Sequence, residues 1–418
     1  EAEANTARTF GADHSFYVVN GTSTSNKIIW HAYVTRDDLV LVDRNCHKSI
    51  LHAIIMTGAT PIYLSGSRND YGIIGPIGRE AFAPAALQQL IDEHPLLDGS
   101  KRQIKLAVLT NSTYDGLCYN TEMIKDQLQD SVDVLHFDEA WYGYAAFHPF
   151  YHGRHGMSEK VAAPRAKHPL VFATQSPHKV LAALSQASII LAKDSAEQQL
   201  DRERFNEAYM MHTSTSPHYG IIASIDVATG MMAGPAGKSL VQETLDEALS
   251  FRRAMQQTAE QLAEEEWWFD VWEPEVALAQ PELKASDWTL DDHAEWHGFG
   301  HMSNDFAMLD PIKVSLLTPG VEEKGRLAKS GIPAALVTRF LAERGLVVEK
   351  TGLYSFLILF SLGITKGKWS TLLSELREFK RLYDQDAPLE LTLPSLAQHP
   401  RYQGLGLRTL GERLHQCY

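Results

Sequence analysis

Three groups able to do chemistry each follow a short apolar run in this chain. Lys179 closes Thr174-Gln-Ser-Pro-His-Lys179, which comes after Pro169-Leu-Val-Phe-Ala173. Asp138 closes Val134-Leu-His-Phe-Asp138 and precedes Glu139, Ala140 and Trp141. His47 stands in Asp43-Arg-Asn-Cys-His-Lys-Ser49, after Leu39-Val-Leu-Val42. Short apolar runs ending in polar clusters read as buried strands. In α/β sheets, ligand chemistry collects beyond the carboxyl ends of such strands. A lysine amine condenses with an aldehyde, and an acid keeps a heterocyclic nitrogen protonated. A lysine and an acid at two strand tips are what a pyridoxal phosphate enzyme needs, one for the Schiff base and one to make the ring an electron sink.

Plainer readings compete. A lone acid after a strand is often a helix cap, and a histidine there is often a satisfied structural group. Most lysines are solvated. Phe137 and Trp141 favour a partly buried Asp138, and a buried carboxylate needs a cationic partner. Gly21-Thr-Ser-Thr-Ser-Asn26 opens an apolar segment and could offer N–H and hydroxyl donors to an anion. Local N-capping explains the same composition, but beside a candidate Schiff-base lysine the loop becomes a plausible phosphate cup.

Three other patterns are weaker. Met231-Met-Ala-Gly-Pro-Ala-Gly-Lys-Ser239 lacks the first glycine of a phosphate loop. His293, His297 and His301 have helical spacing, but Gly298 and Gly300 oppose a helix there. His148, His152 and His155 lie among Pro149, Gly153 and Gly156 without the HExxH pattern. No metal is expected.

The elements positioning these groups alternate between strand and helix. Strands are expected at Leu39 to Asp43, Lys105 to Leu109, Asp133 to Phe137, Leu170 to Ala173 and Ser188 to Ala192. Helices are expected at Ala83 to Asp92 and Asn120 to Gln129. This alternation predicts a mainly parallel sheet covered on both faces. Four of the five strands end in polar residues, which would line one crevice. A long amphipathic helix is predicted from Leu240 to about Trp268, followed by a loop from Glu273 to Ser286 punctuated by Pro274 and Pro281. A smaller α/β unit follows. It has a strand at Ile312 to Leu317, a helix from Pro333 to Arg344, paired strands at Leu346 to Val348 and Tyr354 to Leu362, and a helix at Lys368 to Tyr383. The expected division is 1–236 for a cofactor-binding large domain, 237–388 for a small α/β domain, and 389–418 for the start of a further unit.

The 418 residues are 44% apolar and 22% charged, an ordinary globular composition. No apolar run approaches the ~20 residues of a membrane span, and no signal segment follows Glu1, so a soluble, processed or truncated chain is expected. Three cysteines, Cys46, Cys118 and Cys417, form no CxxC pair and suit a reducing cytoplasm. A net charge of −14 argues against a nucleic-acid partner.

With these motifs in hand, the chain resembles the bacterial ornithine/lysine/arginine decarboxylases of the aspartate-aminotransferase fold type. The matching segments are Asn20 to Lys27, Asp43 to Ser49, Thr110 to Gly116, Phe137 to Trp141, Thr174 to Lys179, Trp296 to Phe299, Leu309 to Lys313 and Val348 to Gly352. The resemblance implies a pyridoxal 5'-phosphate enzyme of fold type I that decarboxylates a basic amino acid. Within the family it looks most like the lysine branch. It implies Lys179 as the Schiff-base lysine, Asp138 at the pyridine nitrogen and His47 stacked on the ring. Thr22, Ser23, Ser176 and His178 fall near the phosphate, Trp141 lines the site, and Glu349 falls near the distal end of the substrate. Lys179 and His178 are the candidates for returning a proton to the α-carbon. Pro177 departs from the threonine usual at its position. The resemblance further implies a homodimer or larger homo-oligomer. It also implies an N-terminal wing domain and a complete C-terminal domain, which these residues lack or do not cover.

Overall fold

In the computed structural model, residues 1–97, 103–159, 169–280, 282–322 and 325–418 are described; Pro281 lies outside them. The strands are β1 (His14–Val18), β2 (Leu39–Asp43), β3 (Thr60–Leu64), β4 (Ile104–Thr110), β5 (Leu117–Tyr119), β6 (Val132–Asp138), β7 (Leu170–Gln175) and β8 (Ser188–Lys193), then β9 (Asp270–Val271), β10 (Ala307–Leu309), β11 (Lys313–Leu317), β12 (Lys350–Thr351) and β13 (Ser355–Leu359). Seven of them form one sheet in the order β1-β8-β7-β6-β4-β2-β3. The pairings from β7 through β6, β4 and β2 to β3 are parallel. β8 runs antiparallel to both β7 and β1.

This sheet is mainly parallel because its central strands are apolar on both faces. Along β4, Leu106 and Val108 point into one apolar cluster while Ala107 and Leu109 point into another. β2 divides the same way, with Val40 and Val42 against Leu39 and Leu41. A one-residue slip would exchange the two sets, so the register is firmly specified. Since β2, β4, β6 and β7 are parallel neighbours, their polar carboxyl ends share one edge. The fifth expected strand, β8, is reversed, so its amino end at Ser188 meets that edge instead.

The smaller sheet has the order β12-β13-β11-β9 and is antiparallel. A helix at Pro235–Gln261 packs against the Lys366–Asp384 helix, and Trp369 Nε1 donates to Glu247 Oε2 across them at 2.5 Å. Leu389, Leu393, Leu407 and Leu410 from the last thirty residues join the same apolar cluster as Leu376 and Phe379.

Some expected boundaries move. The long helix starts at Pro235 rather than Leu240, because a proline suits the first turn. It stops at Gln261 rather than Trp268, since Glu264, Glu265 and Glu266 would oppose the negative end of the helix dipole. The chain instead turns so that Trp267 donates to Asp384 Oδ1 at 2.8 Å and Phe269 is buried. The stretch expected as loop holds a short helix at Glu275–Ala279. Leu346 to Val348 is not a strand. Leu346 N–H is taken by Leu341 O of the preceding helix at 3.0 Å, and pairing to β13 begins only with Glu349 N–H to Leu357 O at 2.9 Å.

Candidate active site

The tips of β2, β4, β6 and β7 are stitched together by their own polar groups. Asp43, at the end of β2, accepts from the N–H of Asn45 at 2.8 Å and of Thr110 at 3.1 Å. The Thr110 hydroxyl returns a bond to Asn45 O at 3.1 Å. On the next pair, Glu139 N–H donates to Thr174 O at 2.9 Å. The result is a cavity of about 700 Å³ along the carboxyl edge of the sheet.

Eight of the nine residues singled out in the sequence line this cavity: Thr22, Ser23, His47, Asp138, Trp141, Ser176, His178 and Lys179. Glu349 does not. It lines an adjoining cavity of about 390 Å³ that shares Trp141 and Lys179 with the first. No arginine lines either cavity among the described residues.

Lys179 sits on a one-turn helix, Pro177–Val180, that Pro177 starts directly after β7. Its amine lies 4.3 Å from the centre of the Trp141 ring. Burial lowers its pKa, and Asp138 and Glu349 partly oppose that shift. Asp138 is buried, and desolvation raises its carboxyl above the usual range. Its oxygens accept from Asn26 Nδ2 at 3.0 Å and from Ala140 N–H at 3.2 Å. It makes no ion pair with any described residue. His47 caps the Lys48–Thr57 helix, its Nδ1 accepting from Ser49 N–H at 3.2 Å. Burial lowers its pKa. His178 Nδ1 donates to Ala187 O at 2.7 Å, which leaves Nε2 for the cavity.

The Thr22–Tyr33 helix opens beside the turn that carries Lys179. Its N-cap, Gly21, has φ 85° and provides no side-chain cap, so the first turn is left for an external acceptor. Thr22 Oγ1 lies 2.6 Å from Ser176 Oγ and 2.7 Å from Ser188 Oγ. Hydroxyls from three elements therefore converge at the helix start.

Sequence reading passed over Tyr114, Asn26 and Ser49 as individual site groups. Tyr114 lines the main cavity, its ring is 5.5 Å from that of Trp141, and its hydroxyl donates to Glu349 Oε1 at 2.9 Å. The signal was its place inside Thr110 to Gly116, beyond a strand tip. The histidine patterns go elsewhere. His148 accepts from Phe150 N–H and meets Gln242, and His297 accepts from Phe299 N–H. Among the described residues, no three His, Cys, Asp or Glu side chains come together as metal ligands, and no helix is long and apolar enough to cross a membrane.

The chain is 61% identical over 420 residues to "Lysine decarboxylase LdcA" of Pseudomonas aeruginosa, covering 100% of this chain and 56% of that protein. It is 45% identical to the "Biodegradative arginine decarboxylase" of Escherichia coli, covering 99% of this chain and 57% of that protein. The solved lysine decarboxylase A from Pseudomonas aeruginosa superposes with a TM-score of 0.95 at 60% identity, over 100% of this chain and 56% of that one. The chain thus spans little more than half the length of these relatives. An L-threonine transaldolase from Pseudomonas fluorescens, 14% identical over 90% of this chain and 70% of that one with a TM-score of 0.56, shares the fold alone. So does SPT solved with PLP, at 13% identity and a TM-score of 0.51 over 90% of this chain and 75% of that one. The pattern of the "Orn/Lys/Arg decarboxylase, major domain" matches residues 1–368, and on that match the chain belongs to the Orn/Lys/Arg decarboxylase family.

Proposed function

We propose that the chain carries the catalytic centre of a pyridoxal 5'-phosphate-dependent decarboxylase that converts L-lysine to cadaverine and carbon dioxide. The observation that carries this reading is the pairing of Lys179 and the buried Asp138 on adjacent parallel strand ends in one cavity. The donor set suits that cofactor. A buried carboxylate without an ion partner calls for a cation, which a protonated pyridine ring would be. An uncapped helix start with clustered hydroxyls calls for an anion, which the phosphate would be. Lys179 would hold the aldehyde, Asp138 the ring nitrogen, and Thr22, Ser23, Ser176 and His178 the phosphate, with His47 and Trp141 bounding the ring. When bound, the cofactor supplies a sink for the electron pair released at the α-carbon.

The rest falls to side chains. Glu349 receives the distal ammonium of the substrate, since a charge-assisted bond is strong in a partly buried site. Lys179 and His178 stand ready to return a proton to the α-carbon, and each turnover consumes one. Burial that lowers the Lys179 pKa makes the neutral amine more available. Lysine ranks before arginine and ornithine as substrate, in line with the 61% identity to LdcA against 45% to the arginine and 35% to an ornithine enzyme.

An aminotransferase on the same fold would share Lys179 and Asp138 but needs a cation, typically arginine, to retain the substrate carboxylate. Among the described residues, no arginine lines either cavity, which favours loss of that carboxylate. We read the active unit as a cytoplasmic homodimer or larger homo-oligomer, with residues 1–236 as the cofactor-holding domain, 237–388 as the small domain and 389–418 as the start of another. Carbon dioxide release measured with pyridoxal phosphate and each basic amino acid tests the proposal. Lysine is expected to lead, and formation of a keto acid without carbon dioxide would overturn it.

A further inference from the structure

Asp138 and His47 both face the cavity, and one side chain is bonded towards both. Asn26 Nδ2 donates to Asp138 Oδ2 at 3.0 Å and to Ser49 Oγ at 2.9 Å. Asn26 Oδ1 accepts from Thr174 Oγ1 at 2.8 Å. The Thr174 proton is thereby committed, so its oxygen accepts from His136 Nε2 at 3.0 Å. His136 is completely buried, and desolvation pushes its imidazole down to about 3, so it stays neutral. The opposite tautomer would leave a buried Nδ1–H with no partner.

The same logic runs the other way. Ser49 Oγ receives an Asn26 hydrogen and, because His47 Nδ1 already accepts from the Ser49 backbone N–H, gives its own proton to that nitrogen at 2.9 Å. The backbone N–H of Ser49 donates to that nitrogen as well, at 3.2 Å. An Nδ1 that receives two donors carries no proton, and a neutral ring then carries its proton on Nε2. The chain from His136 through Thr174, Asn26 and Ser49 to His47 is fixed in direction. Turning the Asn26 amide over would aim its oxygen at the Asp138 carboxylate and its hydrogens at the Thr174 hydroxyl.

We propose that Asn26 is a positioning residue that holds the Asp138 carboxylate in place and, through Ser49, keeps His47 neutral with its proton on Nε2. The value of this to catalysis rests on the reading of Asp138 and His47 as the cofactor-facing pair; the proton positions do not. The groups bearing on His47 are Asp138, which favours its charged form, and Lys179, Lys48 and His52, which oppose it. A carboxylate in place of the Asn26 amide turns the Ser49 hydroxyl round, leaves the Ser49 backbone N–H as the one donor to Nδ1, and sets two carboxylates side by side.

The test uses the full chain without cofactor, with nitrogen-15 in its histidines and His47 assigned by comparison with His47→Gln. In the native protein, His47 Nδ1 should be unprotonated at neutral pH. Asn26→Asp should raise the His47 titration midpoint by about one pH unit or more and weaken pyridoxal phosphate retention on dialysis by about 10-fold. Ser49→Ala, which leaves Asp138 and the backbone donor untouched, should raise the midpoint by a smaller amount, and it keeps the idea testable if the aspartate variant fails to fold. A native His47 with its proton on Nδ1, or a midpoint unmoved in both variants, would overturn the proposal. Correct proton positions in a chain that never binds pyridoxal phosphate would overturn the decarboxylase reading and leave the positioning role standing.

Discussion

The Lys179 amine rests 4.3 Å from the centre of the Trp141 ring, and Trp141 is the wall between the cofactor-sized cavity and the one that holds Glu349. Among the described residues, these two line both cavities. A substrate reacting near Lys179 could extend past the indole towards Glu349. The ring face favours the charged amine by about 0.5–2 kcal/mol, while burial lowers the Lys179 pKa against the opposing charges of Asp138 and Glu349.

Lys179→Ala should abolish carbon dioxide release. Borohydride reduction of the native chain in the presence of pyridoxal phosphate, followed by peptide mapping, should place the label on Lys179. A label on Lys48, which lines the same cavity, would show that the wrong lysine has been chosen.

Asp138→Asn should keep the cofactor but slow turnover by at least ~10²-fold, the size of loss seen when preorganised electrostatic stabilisation is removed. The neutral amide can still meet the N–H groups of Asn26 and Ala140 or their equivalents but cannot hold a cation. Near-native turnover would remove the electron-sink role from Asp138.

Much of this was legible in the chain because the parallel sheet is built from runs that are apolar on both faces. Val40 to Val42 and Leu106 to Leu109 could not be anything but interior, so the polar residues after them had to sit at the edge. Order along the chain then put Lys179 and Asp138 at neighbouring tips and His47 two strands further along the same edge. What could not be read was how side chains reach across elements. Nothing local ties Tyr114 to Glu349, 235 positions away, or Asn26 to Asp138, 112 positions away. Leu346 to Val348 has strand composition, but Leu346 closes the preceding helix, and tertiary context overrode propensity there.

Glu349→Gln should raise the KM for lysine by about 10–100-fold, as expected for losing a charged hydrogen-bond partner. Tyr114→Phe should have a smaller effect of the same sign, because it removes only the hydroxyl that orients Glu349. Tyr114 itself cannot supply charge near neutrality; burial, the bond to Glu349 and its negative charge push its phenol up to about 12. Steady-state kinetics with lysine, arginine and ornithine decide the matter, and unchanged KM values for all three would remove Glu349 from the substrate site.

Glu139 gives a prediction about stability. It is fully buried and accepts from Asn111, Gly156 N–H and Gln175. Burial raises its pKa from the ordinary 4.5 to about 7 despite those bonds. The folded chain therefore binds this proton more tightly than the unfolded chain. The stabilisation is whole below pH 4.5 and is lost as pH rises through about 7. Glu139→Gln should flatten the urea midpoint over that window. The substitution is tolerable because Gln175 Oε1 has no partner and can accept from the new amide once the Gln175 side chain turns over. A pH dependence identical to the native one would show that Glu139 is not the group responsible.

Ile55 and Met56 are 78% and 52% exposed near the far end of the helix that His47 caps, and this apolar surface is expected to be covered by a second copy of the chain. The net charge of −14 opposes association at neutral pH. As carboxylates and histidines take up protons, that repulsion weakens, so assembly should strengthen in mild acid. An enzyme that consumes a proton per turnover would then be most assembled when acid is in excess. Sedimentation from mildly acidic to mildly alkaline buffer should show a dimer at minimum, shifting to larger species in acid. Ile55→Glu should shift the balance to monomer and lower carbon dioxide release, although Ile55 lines neither cavity. A monomer fully active at every pH would end the shared-site reading. A dimer without pH response would remove only the acid-driven part and leave the negative charge as an aid to solubility.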